Sequence, residues 1–539
     1  MHAGVFPPAC MLRRGTSRDD DKSLLCAELE CSTTIAPKYI KQATAEYHIE
    51  ISCPTPNVSS KRVPQPKRSI STLYPRIDMS LRFERLEDRR LLAVSVAAGS
   101  KLVIVGDGAN DVVEINGTGI PGTVEVVVDL DGDEVAETTL GPFSGVKDIV
   151  FRGNDGNDTV TIDGVIVSGG LVVSGGSGDD VVTISGASIF GGNVNIETNS
   201  GDDVVDGSGD TIIGKNLIVN TGTDDDMVSG FLSTAGTTSI VTFSGNDEVY
   251  DILSGKRVAI DTGEGDDIVG GEAGFIESEF ADVRIYTGAG NDEVGDVFGE
   301  KAVLIDTGSE DDLVSGIGSD AGSITVRTGD GDDDVIDIDT ETVKNVVIDT
   351  GAGDDYVDDI HAEGNISIKT GTGNDEVYAV GTTGENHRVD VDTGDGDDIV
   401  EGLETIGSAN VKTGSGTDTV MVDLVGKNLL IDTGDNEDTV TVGDVGGLLN
   451  IKTGSDEDSV TLGAGAFYLG KVRVDTGDGD DTVLVDGSTF AKEVQIKTGA
   501  GADDITISGS TFADKVLVDA GSSLIDTFTS AGNTFARPI

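Results

Sequence analysis

Beyond residue 150 apolar and polar residues alternate in short runs, as in Val389-Asp390-Val391-Asp392-Thr393 and Asp481-Thr482-Val483-Leu484-Val485. Alternation with period two places one set of side chains on a buried face and predicts a β-strand. A Gly- and Asp-rich turn follows each incoming run, a second strand follows the turn, and a less regular segment brings the chain round again. No stretch keeps a 3.6-residue period, and the Gly and Asp content opposes helix.

The turn phrase is plainest at Thr393-Gly394-Asp395-Gly396-Asp397-Asp398-Ile399-Val400, numbered 1 to 8. The same frame recurs at 262–269, 287–294, 350–357, 370–377 and 476–483, with looser copies on either side. Position 6 is Asp158, Asp180, Asp203, Asp226, Asp247, Asp267, Asp292, Asp312, Asp333, Asp355, Asp375, Asp398, Asp418, Asp438, Asp458, Asp481 and Asp503, in steps of 20 to 25 residues. Such a period predicts an all-β solenoid, a parallel β-helix with one Gly/Asp turn per coil and two or three strands. Position 5 drifts among Asn157, Asp179, Thr417, Glu437 and Ala502, while position 6 is Asp in every copy. A geometric demand for a short carboxylate is therefore expected at position 6.

Stacking coils in register aligns like with like. Val258/Ile260, Val283/Ile285, Val303/Ile305, Val346/Ile348, Val472/Val474 and Val494/Ile496 are expected to form inward ladders, each aliphatic contributing ~1.5–3 kcal/mol. Phe190, Phe280, Phe298, Phe467, Phe490 and Phe512, at similar distances before the next phrase, are expected to stack in the core as well. The residue before position 1 should point outward. From Asp306 it alternates acid and base through Arg327, Asp349, Lys369, Asp392, Lys412, Asp432, Lys452, Asp475, Lys497 and Asp519, which suggests duplication in units of two coils. With coils ~4.8 Å apart, the seventeen copies would make a monomeric rod of roughly 80 Å.

Charge sharpens this picture. The net charge of −62 splits into +3 for residues 1–78, +1 for 79–93 and −66 for the remainder. That acidity disfavours nucleic acid and anionic membranes, and favours cations or basic partners. No stretch reaches the ~20 apolar residues of a transmembrane helix. Cys10, Cys26, Cys31 and Cys53 all precede the repeats, so the repeats hold neither disulfides nor a Cys/His zinc set.

Residues 1–78 are basic, rich in Pro and without periodicity, and are expected to be disordered or foreign to the native protein, with Met79 as the start. Residues 79–98 resemble the short leader motif, Phe-Glu-x-Leu-Glu-x-Arg-x-Leu-Leu, of large secreted bacterial repeat proteins, on the residues Phe83-Glu84-Arg85-Leu86-Glu87-Asp88-Arg89-Arg90-Leu91-Leu92. The resemblance implies a secreted or cell-surface protein. Residues 99–150 are less regular and are expected to cap the first coil, with Val124–Leu130 and Val135–Leu140 as a hairpin around Asp131-Gly132-Asp133. The repeat domain then occupies 151–539.

Positions 1 to 8 resemble the calcium-binding nonapeptide of the RTX proteins, Gly-Gly-x-Gly-x-Asp-x-apolar-x; Gly371-Thr372-Gly373-Asn374-Asp375-Glu376-Val377 comes close to it. The resemblance implies that carbonyls of the Gly turn and the position-6 carboxylates, all seventeen, hold calcium between stacked turns. The spacing departs from that family, whose phrases follow every nine residues and line both edges; here one edge carries them. Stacked carboxylates ~5 Å apart would repel by ~3 kcal/mol at an effective dielectric of 20, and nitrogen-free oxygen sites select hard cations. The alternative is a turn in which each Asp bonds backbone. The expectation is thus a secreted or surface-attached, calcium-binding rod with a structural or adhesive role and extracellular polysaccharide or cell-surface partners.

Two rivals follow from the fold. Parallel β-helices host polysaccharide lyases and hydrolases, whose sites break the repeat; His361 and His387, the histidines of the solenoid, are expected in connections between strands. An ice-binding face would need the recurring Thr262, Thr287, Thr307 and Thr328 outside, yet their parity points them inward.

Overall fold

The computed structural model describes residues 93–536, apart from 97–99, 130–137, 210, 234, 272–273, 341–344, 522 and 524. The expectations for residues 1–78, for most of the leader segment and for the turn at Asp131-Gly132-Asp133 lie outside the described residues. No α-helix occurs among those described. The repeat domain is a parallel β-solenoid of about 17 coils, as the periodicity predicts.

The described strands before the first coil are antiparallel. β1 (Ala93–Val96) pairs with β2 (Lys101–Val105), and β3 (Val112–Gly117), β4 (Thr123–Val128) and β5 (Thr138–Ser144) form a meander. β6 (Asp148–Asp155) then pairs parallel with β2 and opens the stack. From there each coil adds one strand to a sheet of incoming strands and one, often broken in two, to a second sheet. Arg388–Asp395, for example, lies between Asn365–Thr372 and Ser408–Ser415, with Asp390 beside Ser367 and Asn410.

The core is the space between these sheets. The twelve aliphatics expected as inward ladders are all buried. The position-1 threonines are buried too, so Thr262, Thr287, Thr307 and Thr328 offer nothing to ice.

The aromatic column follows a different rule from the one expected. Tyr468, Phe490, Phe512 and Phe535 stack with ring centroids 4.8, 4.8 and 5.2 Å apart, and Phe190 is buried further up the rod. Phe280, Phe298 and Phe467, however, are exposed. Phe467 is one residue out of phase: it aligns with Thr489, and its neighbour Tyr468 aligns with Phe490. Phe298 is turned outward by Asp296, whose φ of 50° inserts a left-handed residue and resets the alternation. Phe280 lies outside any strand, ahead of Val283–Ala289.

Glycine at positions 2 and 4 follows from stacking. Gly394 and Gly396 have φ of 104° and 150°. A Cβ on either would lie 1.9 or 1.6 Å from the carbonyl oxygen of Gly371 or Gly373 in the coil below. Where another residue replaces glycine, as in Asn199, Phe243, Glu310 and Asn436, the positive φ is retained.

Candidate functional site: the two aspartate columns of the turn

The seventeen position-6 aspartates form one column inside the rod, each 0–3 % exposed. The strand after the turn starts at position 7, and the Asp carbonyl accepts its ladder bond there: Asp398 O accepts from Thr419 N–H at 2.8 Å. The Asp N–H has no such carbonyl opposite it. It donates instead to Oδ1 of the next aspartate, as Asp375 does to Asp398 and Asp398 to Asp418, each at 2.9 Å. The bond repeats without a break from Asp158 to Asp503. This is the geometric demand for a short side chain with an acceptor.

The column is longer than the repeat count suggested. Asp111 N–H donates to Asp158 Oδ1 at 2.8 Å, and Asp503 N–H to Asp526 Oδ1 at 3.3 Å. The phrase Asn110-Asp111-Val112-Val113 carried a legible trace of the first. The last coil, whose phrase looked stripped of acids near Ala520-Gly521-Ser522-Ser523, keeps its aspartate a residue further along than the frame predicts.

The second oxygen, Oδ2, faces the interior beside position 1. Oγ1 of Thr350, Thr370, Thr393, Thr413, Thr476 and Thr498 lies 2.5 Å from Oδ2 of the aspartate five residues on, and that of Thr453 at 2.6 Å. In ten other coils Oδ2 is buried without a hydrogen bond of good geometry; eight of them, Asp267 and Asp438 included, still have the position-1 threonine hydroxyl beside the carboxyl, and Asp158 and Asp180 do not. Gly153 and Gly175 stand at position 1 in these last two, and a Cβ there would lie 1.8 and 2.0 Å from the carboxyl oxygen that has taken its space.

Burial dominates the titration of the aspartates from Asp158 to Asp481. It pushes Asp158, Asp226, Asp267, Asp312, Asp355 and Asp438 up to about 7, and Asp180, Asp203, Asp292, Asp333, Asp375, Asp418 and Asp458 up to about 6. Asp247, Asp398 and Asp481 are raised for the same reason. Threonine hydroxyls, where present, and the N–H of the coil below oppose the rise, while like-charged neighbours add to it.

Position 5 forms a second column, exposed on the turn's outer rim and running the opposite way. Here the N–H of the later coil donates to Oδ1 of the earlier one: Asp397 to Asn374 at 2.9 Å, Thr417 to Asp397 at 2.7 Å. The column runs from Asn110 to Thr417 and returns at Asp480 and Ala502. Thr417, Glu437 and Glu457 stand in the interval, none with the Asx geometry. The drift noted at position 5 is thus mostly a choice between Asp and Asn.

The alternating outer column is an ion-pair ladder with a direction. Arg327, Lys369, Lys412, Lys452 and Lys497 each reach the acid of the preceding coil, Asp306, Asp349, Asp392, Asp432 and Asp475, at 2.8–3.9 Å. The pairs fall within two-coil units.

Whether calcium could sit at the position-6 aspartates turns on how many of their oxygens are free. Calcium takes six to eight oxygens. Here each carboxyl has one oxygen committed to a backbone N–H, and the other turned toward the rod's interior. Among the described residues no three acidic, His or Cys side chains converge where a metal could be held.

His387 lies in a connection, as expected, but His361 does not. It sits outward on the strand Tyr356–Ala362, with Nδ1 3.0 Å from Asp359 Oδ1. Asp359 has a left-handed φ of 58°, which shifts the outward set there. Compared with known proteins, the chain matches no family model and no curated relative.

Proposed function

We propose that the protein is a secreted or cell-surface rod with a structural or adhesive role. The observation that carries this reading is the double bonding of the turn. Each coil is tied to the next by backbone ladders, by an inner aspartate column and, over most of its length, by an outer one running the other way. Such a rod resists local opening, because no turn can leave without breaking bonds to both neighbours. Its outward faces remain strongly acidic with the buried aspartates set aside, residues 94–539 carrying a formal −66 in all, which suits hydrated polysaccharide or basic partners outside the cell. The leader resemblance at Phe83–Leu92 supports the location. Labelling of intact cells with an antibody to the solenoid, alongside attachment assays with and without the gene, tests the proposal. Staining only after permeabilisation, with attachment unchanged, would sink it.

One patch favours a second reading, a polysaccharide lyase or hydrolase. Tyr356 and Tyr378 stand 5.7 Å apart on the second sheet, and Tyr356 OH donates to Asp358 at 3.0 Å. Beside them lies the contact of His361 Nδ1 with Asp359 Oδ1 described above. Release of reducing ends or unsaturated products from a panel of acidic and neutral polysaccharides would favour the enzyme.

A further inference from the structure

We infer that the inner aspartate column from Asp158 to Asp481 is a line of neutral carboxylic acids, each holding a proton on Oδ2, and that these protons occupy the place that the RTX resemblance assigns to calcium.

The argument starts from a count of hydrogens. Oγ1 of Thr370 lies 2.5 Å from Asp375 Oδ2 and 3.2 Å from the carbonyl oxygen of Thr393 in the next coil. Thr413, Thr453 and Thr476 repeat the arrangement, with carbonyl distances of 3.2, 3.2 and 3.4 Å. A hydroxyl has one hydrogen and here has two acceptors. A proton on the aspartate resolves the conflict: Oδ2–H donates to threonine Oγ1, and the threonine passes its own hydrogen to the next coil's carbonyl. The chain then reads carboxyl, hydroxyl, carbonyl in every such coil, with each group satisfied.

The other coils point the same way. In Asp158 and Asp180, whose coils have glycine at position 1, Oδ2 is buried without a partner. Burying an ionised oxygen unpaired is far costlier than burying a neutral one. Among the described residues no cation forms an ion pair with the column. Asp398 is surrounded by Asp375 and Asp418 above and below and by Asp395 and Asp397 on its own turn, and the lysines and arginines that form ion pairs bond other acids. A stack of carboxylates one coil apart would repel at every step; a stack of acids does not. The directions of titration noted above agree with this geometry.

The consequence is a rod that loosens with alkali. A carboxyl whose folded pKa lies above its unfolded value contributes its full stability below the unfolded value, ordinarily 3.8. That contribution fades as pH rises through the folded values of about 6 to 7.

The test uses the whole chain in two measurements. Infrared spectra recorded near pH 5.5, where exposed carboxyls are ionised, should show a protonated-carboxyl C=O band that disappears as pH rises toward 8.5. Amide exchange of the coils between residues 350 and 420, corrected for intrinsic rates, should accelerate by about tenfold or more over the same range, since one pKa unit of difference is a tenfold effect. The variant D355N/D375N/D398N/D418N keeps the Oδ1 acceptor and has no titrating proton, so its central coils should lose this acceleration whatever their absolute stability. Millimolar calcium at pH 7.5 should change neither the band nor the exchange. Absence of the carboxyl band at pH 5.5 overturns the inference even if the variant fails to fold. So does alkaline loosening that calcium reverses in the parent and not in the variant, an outcome that would return the column to metal binding.

Discussion

The backbone N–H of Asp398 donates to Oδ1 of Asp418, 2.9 Å away and one coil further along the rod. A side chain therefore supplies the acceptor that the turn's backbone cannot. Asp398→Ala removes the acceptor of Asp375 N–H at 2.9 Å and leaves that donor buried and unpaired. The expected cost is about 1–3 kcal/mol, read by urea denaturation, with faster amide exchange centred on Asp375. An unchanged exchange rate at Asp375 would show that the bond is dispensable.

Glycine at position 2 is tested by a contrast. Gly394→Ala places a methyl 1.9 Å from the Gly371 carbonyl, at a φ of 104°. Gly465→Ala meets nothing within 4 Å, at a φ of 84°. Both substitutions strain the backbone by about 1–3 kcal/mol, but only the first should also force two coils apart. The melting temperature of G394A should fall well below that of G465A; equal values would mean the turn can breathe.

The aromatic stack makes a sharper comparison. Phe490→Ala opens a cavity between Tyr468 and Phe512, whose rings each lie 4.8 Å from it, and should cost about 3–5 kcal/mol. Phe467→Ala, at a 55 % exposed position, should fall within the ±0.5 kcal/mol typical of surface changes. Denaturant midpoints of the two variants decide between this assignment and the reverse.

The outer ion-pair ladder predicts a salt-dependent effect. Lys412→Glu with Lys452→Glu sets five acids in succession from Asp392 to Asp475 and removes pairs of 3.1 and 3.9 Å. The pairs are exposed, each worth about 0–1 kcal/mol, so the loss should be modest at low salt and shrink at 1 M, where screening acts within ~3 Å. If parent and variant melt together at low salt, the alternation of Asp and Lys contributes nothing to stability.

Much of the fold was legible in the chain alone. Alternation with period two told which residues of Val389-Asp390-Val391-Asp392-Thr393 face inward. The 20-to-25-residue period told that Val258 would stand beside Val283, as it does. Both are local regularities, and repetition averages out their errors. The position-6 column was equally visible as a demand, since seventeen copies held Asp while position 5 drifted. What the demand was for was not visible. The phrase specifies a carboxylate in a Gly-rich turn, and both a metal site and a hydrogen-bonded ladder use that combination.

The choice lay in relations between coils. Which way Asp398 N–H points, that Oδ1 meets a neighbour's N–H while Oδ2 turns to Thr393, and that the Asp397 column runs in reverse all depend on how one turn sits on the next. Residues about twenty positions apart in the chain cannot reveal that. Tertiary structure likewise decided between Phe467 and Tyr468, and turned Phe298 outward through the left-handed Asp296, because one residue of phase moves a side chain to the other face of a sheet. The sequence by itself determined a solenoid with an aspartate in every coil; only the stacking decided that these aspartates face one another's backbones in the interior.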